Sequence, residues 1–179
     1  MRSRMIKKRY IAFYALVLFC LFSHSAHAHI YKISVIIDTD MALDDVRAIT
    51  MLLNSDMVDI PLIVTSDGVL SPQDGCKNLE MLLRYFKRED IKIARGRTLD
   101  KPAPPWRSWC GDLKWPQMEA PPFEIAVGDQ APEEIVKTLQ SQDKPILYLC
   151  LGPLTNLADA LHLNPGVKDK ISRLVYFEA

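Results

Sequence analysis

The chain has 179 residues, and its 22 basic and 22 acidic side chains give a formal net charge of zero. At 49% apolar it can bury one hydrophobic core, which points to a single domain, and no internal repeat or low-complexity tract interrupts it. Neither sign of charge dominates as a nucleic-acid-binding surface requires.

Arg2, Arg4, Lys7, Lys8 and Arg9 form a basic segment, Tyr10 to Phe22 an apolar one, and Ala26-His27-Ala28 a small-residue cleavage site. This is the pattern of a secretory signal peptide over residues 1–28. The apolar stretch is short for a membrane span, and a membrane anchor is the alternative. Five of the 22 basic residues and none of the acidic ones precede His29, so residues 29–179 carry 17 against 22, a net charge of −5. A mildly acidic protein, exported to the periplasm or medium, suits small molecules rather than nucleic acid. It touches the membrane only through its signal.

Strands and helices then alternate. Strand Ile33 to Asp38 precedes helix Asp44 to Asn54, and strand Ile60 to Thr65 precedes helix Pro72 to Phe86. A short strand, Ile91 to Ala94, opens onto an irregular stretch from Gly96 to Asp129. Helix Pro132 to Gln140, strand Ile146 to Leu151, helix Leu154 to Leu163 and strand Arg173 to Phe177 complete the order. Such alternation predicts an α/β fold, an open, mostly parallel sheet with helices on both faces.

Three cysteines, Cys76, Cys110 and Cys150, follow the signal, too few for a complete disulfide framework. Cys76 and Cys110 are a candidate pair in an oxidising compartment. Cys150 reads as strand packing, and His162 as a surface position on a helix. Neither C-x-x-C nor a histidine cluster suggests zinc.

The chemistry concentrates where the first strand ends. Asp38, Asp40, Asp44 and Asp45 fall within eight residues, directly after the β-branched run Ile33-Ser34-Val35-Ile36-Ile37. Asp38 and Asp40 share a strand face, while Asp44 and Asp45 sit in the first turn of the next helix, where the helix dipole favours acids. Four carboxylates at one point repel one another unless a cation lies among them. A hard ion with oxygen ligands, calcium or magnesium, meets that need, and a solvated acidic turn is the plainer alternative. Two further motifs, Ser66-Asp67-Gly68 and Gly152-Pro153-Leu154-Thr155-Asn156, also follow strands, where open α/β sheets bind their ligands. The turn at Gly152-Pro153 leaves the Leu151 carbonyl available to a hard cation. The irregular stretch holds six prolines and all three tryptophans, Trp106, Trp109 and Trp115. It reads either as an aromatic lid stacking on a planar ligand, with Arg107 as a polar contact, or as a loop pinned to the body by its tryptophans.

Asp38-Thr39-Asp40 with Asp44-Asp45, followed by Gly152-Pro153-Leu154-Thr155-Asn156-Leu157-Ala158, resembles the inosine/uridine-preferring nucleoside hydrolase family from about Ile33 to Phe177. Asn78 on its helix and the Ala94-Arg95-Gly96 turn fit the family's N-terminal half. The resemblance implies that Asp40 and Asp45 hold Ca2+ through carboxylates and Leu151 through its carbonyl. It implies that Asp40 deprotonates or orients water, that Asp44 holds ribose hydroxyls, that Asn78 belongs to the substrate-binding set, and that Asp38 and Asn156 support the cluster. The implied reaction is hydrolysis of a nucleoside N-glycosidic bond through an oxocarbenium-like transition state.

Three departures stand out. Met41-Ala42 replaces the family's Pro-Gly, and Gly68-Val69 replaces a Gly-Asn, leaving Asp67 to take over a ribose contact. Family chains continue for about as long again, bringing a last calcium-binding aspartate and a histidine near the leaving base. The chain therefore reads as the family's N-terminal half, a fragment or truncated product, inactive or weakly active alone, with an open metal site. Poor solubility or assembly with further copies is the expectation for residues 29–179. A magnesium-dependent, haloacid-dehalogenase-like phosphatase with Asp38 as nucleophile is an alternative, but it leaves Asp44-Asp45 and the Gly152 motif unused. A non-catalytic nucleoside- or sugar-binding remnant is another.

Overall fold

In a computed structural model, the structure describes residues 32–110 and 130–176. Five strands form one parallel sheet: β1 (Ile33–Thr39), β2 (Val58–Thr65), β3 (Lys92–Arg95), β4 (Ile146–Cys150) and β5 (Ile171–Tyr176). Their order is β3-β2-β1-β4-β5. The chain builds outward from β1 through β2 to β3, then returns to the other side of β1 for β4 and β5. That reversal opens a crevice beyond the carboxyl ends of β1 and β4.

The alternation of side chains along β1 sorts the core into two layers. Val35 and Ile37 pack with Ile49 and Leu53 of α1 (Leu43–Leu53) and with Leu79, Leu82 and Leu83 of α2 (Pro72–Tyr85). Ile36 faces the opposite layer, where Ile135 and Leu139 of α4 (Ala131–Ser141) meet Leu157 and Ala160 of α5 (Thr155–Leu163). With both faces covered, β1 has to be apolar along its length until it reaches its aspartate.

Each of the expected strands and helices is present, with ends displaced by one or two residues. β2 extends back past Pro61, which a strand flanked on both sides does not normally accept. Its register with β1 moves by one residue between Ser34 and Ile36, so Pro61 falls in a bulge. A short helix, α3 (Arg107–Cys110), occupies part of the stretch expected to be irregular, and a 3-10 helix (Pro165–Lys170) precedes β5. Trp115 and Phe177 lie outside the described residues. Cys76, Cys110 and Cys150 are all free thiols. The Cys76 sulfur lies 3.1 Å from the Thr65 hydroxyl instead of pairing with Cys110. His162 is exposed on α5. No helix among the described residues is long and apolar enough to cross a membrane.

Candidate active site

Three of the four N-terminal aspartates turn inward. Asp38 is fully buried, and Asp40 and Asp45 nearly so, while Asp44 stays exposed on the first turn of α1. Asp38 ends the apolar part of β1 in register with Val64 on one side and Cys150 on the other. Its carboxylate accepts the Tyr148 hydroxyl at 2.9 Å and the Asn156 amide at 3.0 Å. Burial pushes the Asp38 carboxyl up to about 7, the two donors pull it down, and the charge of Asp40 adds to the rise. Its backbone carbonyl accepts the Leu151 N–H at 2.7 Å and the Gly152 N–H at 3.4 Å, tying the β4 turn to β1. Asn156 also donates to the Thr65 carbonyl at 3.1 Å and so joins β1, β2 and α5.

Asp40 and Asp45 lie side by side. Asp40 Oδ2 accepts the Val69 N–H at 2.8 Å. Asp45 accepts the Thr39 hydroxyl at 2.6 Å. Burial, with Asp40 beside it, raises the Asp45 carboxyl to about 7. Met41, between strand and helix, is buried in the left-handed region at φ 57°, a backbone that proline cannot adopt. The family's Pro-Gly is therefore replaced by a different turn.

Two glycines keep the surroundings of Asp40 open. A Cβ on Gly68 would lie 2.0 Å from Asp40 Oδ2, and one on Gly152 would lie 2.8 Å from the Asp40 nitrogen. The two carboxylates offer oxygen, the donor type that suits a hard cation, and the Leu151 N–H ties the turn after β4 to the Asp38 carbonyl. Among the described residues no third Asp, Glu, His or Cys side chain joins the pair within metal-holding reach. Further ligands of a six- to eight-coordinate ion would be backbone or neutral side-chain oxygens, water or substrate.

A cavity of about 270 Å³ opens beside Asp40, floored by Gly68 and Val69 and walled by Lys101, Pro102, Pro104 and Trp106. Trp106, a candidate from sequence, thus lines the same cavity as Asp40, with about half its surface exposed. Asp67 and Arg107 are brought together as partners of each other, the guanidinium donating to the Asp67 carboxylate at 2.6 Å. Asn78 is half-buried in the middle of α2 and does not line this cavity.

Sequence reasoning missed Tyr148, Thr39 and Lys101. Tyr148 carries a signal, since a fully buried tyrosine in a strand needs a hydrogen-bond partner for its hydroxyl. Thr39 sits between two candidate aspartates, and nothing in its residue type announces that its hydroxyl bonds Asp45. Lys101 has no such mark.

Comparison with known proteins adds to this geometry. The family model described as inosine-uridine preferring nucleoside hydrolase matches residues 35–177. The pyrimidine-specific ribonucleoside hydrolase RihA of Salmonella paratyphi A is 31% identical over 149 residues, covering 79% of this chain and 46% of the relative. A plant nucleoside hydrolase is similar in structure, with a TM-score of 0.67 at 25% identity over 80% of this chain and 46% of the other. A purine-preferring ribonucleoside hydrolase from Gardnerella vaginalis shares the fold, with a TM-score of 0.70 at 23% identity, over 80% and 48% of the two chains. The chain spans about half the length of the curated relatives it matches. These matches set aside the phosphatase alternative: with its Asp40–Asp45 pair at the mouth of β1 and its Gly152 motif at the mouth of β4, the chain belongs to the inosine-uridine preferring nucleoside hydrolase family.

Proposed function

We propose that this chain supplies the water-activating and metal-holding half of an enzyme that hydrolyses the N-glycosidic bond of ribonucleosides, giving ribose and free base. The observation that carries the reading is the paired Asp40 and Asp45 beside an open cavity, in a chain matched by the family model from residue 35 to 177. The names of relatives support a nucleoside substrate and differ in base, pyrimidine in one and purine in another.

The roles are those that the family resemblance implies, and the surroundings of each residue support them. Asp40, at the cavity wall, accepts the proton of the attacking water. The family resemblance assigns Asp44, exposed on the first turn of α1, to the ribose hydroxyls. Asp38 is enclosed by Tyr148 and Asn156 and acts as a fixed support under Asp40. The Asp40 and Asp45 carboxylates and the Leu151 carbonyl would hold the calcium that the family resemblance implies, and it would supply Lewis acidity that makes water a better nucleophile. The basic and apolar leader ending in Ala26-His27-Ala28 supports an exported protein.

The test is sugar release from uridine and inosine by calcium-replete protein of family length carrying this chain. Asp40→Asn should lower the rate by about 10²–10⁴-fold, the usual loss when a general base is removed. Absence of cleavage of purine and pyrimidine nucleosides alike would overturn the assignment.

A further inference from the structure

The outer wall of the Asp40 cavity is a loop closed at both ends on one carboxylate. Asp67 Oδ2 accepts the Leu99 N–H at 2.6 Å, and Asp67 Oδ1 accepts the Arg107 guanidinium at 2.6 Å. The same guanidinium nitrogen donates to the Gly68 carbonyl at 2.5 Å. Lys101, Pro102, Pro104 and Trp106, which face the cavity, all lie between these two anchors. Asp67 is buried, and about a fifth of the Arg107 side chain is exposed. Two residues on, the Val69 N–H holds Asp40. One unbroken run of hydrogen bonds therefore connects the wall to the reactive carboxylate.

A buried carboxylate whose two oxygens are taken by an amide and a guanidinium is committed to structure, because losing either partner leaves a buried charge short of compensation. The apolar and indole surface it holds in place, with the Lys101 ammonium at the rim, faces the space beside Asp40. We propose that Arg107 is a positioning residue that, through Asp67 and Gly68, pins the Leu99–Trp106 wall against Asp40 and so sets the shape offered to the base. Only the identity of the occupant rests on the nucleoside reading. The pinning itself does not.

Amide hydrogen exchange on the whole chain tests this. Arg107→Met and Asp67→Asn should each speed exchange of the Leu99–Arg107 amides about tenfold or more, while Ile36, Ile37, Ile63 and Val64 exchange as before. The double variant should go no further than the faster single one, as two ends of one contact require. Arg107→Lys, which keeps a cation, should fall between Arg107→Met and the unaltered protein. Unchanged exchange in the variants overturns the proposal, and so does a wall already unprotected in the unaltered protein. If Asp67→Asn loses the fold, the two Arg107 variants carry the test. No nucleoside is present in this measurement, so failure to cleave nucleosides and failure of the pinning are separate results.

Discussion

Two buried carboxyls, Asp38 and Asp45, are both raised to about 7, chiefly by burial. Unfolded, each titrates near its ordinary value of 3.8. Between those limits the folded chain binds more protons than the unfolded one, so stability falls as pH rises. The cation-free chain should melt at a higher temperature at pH 5 than at pH 8, and a scan without added metal checks it. A second prediction concerns Gly68. Alanine there places a methyl 2.0 Å from Asp40 Oδ2, so the carboxylate has to leave its place against Val69. Gly68→Ala should weaken calcium binding at least tenfold in a calorimetric titration and destabilise by about 1–3 kcal/mol, as overpacking does. At this scale the sequence was legible where residue type alone demanded a partner: four clustered acids implied a site. Which acids turn inward was not, because Asp44 and Asp45 are neighbours on a helix and only the helix's rotation against β1 distinguishes them. Asp67 and Arg107 were readable as polar and near the site, but their engagement with each other depends on how residues 96–110 fold back.

Among the elements, α2 has the most complete start signal. Ser71 accepts the Asp74 N–H at 3.1 Å, its hydroxyl reaches the Asp74 carboxylate, and Pro72 follows at the first helical position. Ser71→Ala should cost about 1 kcal/mol in chemical denaturation, the usual worth of such a cap. By contrast α1 begins at Ala42 with no side-chain cap, its first turn being given over to Asp44 and Asp45. Strand–helix alternation made the helices readable, and β-branched runs made the strands readable. Pro61 lies inside the expected strand, and the bulge against β1 is what lets an inner strand accept it. Helix α3 is a single turn, too short to leave a period in the sequence.

For the whole molecule, alternation implied a parallel sheet, but nothing local states that β1 is central or that β4 returns beside it. The order depends on contacts far apart in sequence. Among the described residues β5 is the outermost strand beside β4, with Leu174, Val175 and Tyr176 more than a third exposed. An apolar edge strand offers unpaired backbone to another chain. The chain at concentration should self-associate, and Val175→Lys should reduce that association in sedimentation velocity. An unchanged sedimentation profile would show that β5 is not the contact.

The central place of β1 also has a consequence in time. The hydrogen bond between Asp38 and Tyr148 joins residues 110 apart in sequence, and that between Asp38 and Asn156 joins residues 118 apart. In the emerging chain β1 comes more than a hundred residues before its β4 partners, so it can pair on one side with β2 while the other side waits for β4. Through that interval its second edge, and the aspartate at its tip, have no neighbour. The slow, distant closure of β4 onto β1, rather than the nearby joining of β1 and β2, should set the folding rate. A circular permutant in which β4 and β5 precede β1 should fold faster than the natural order.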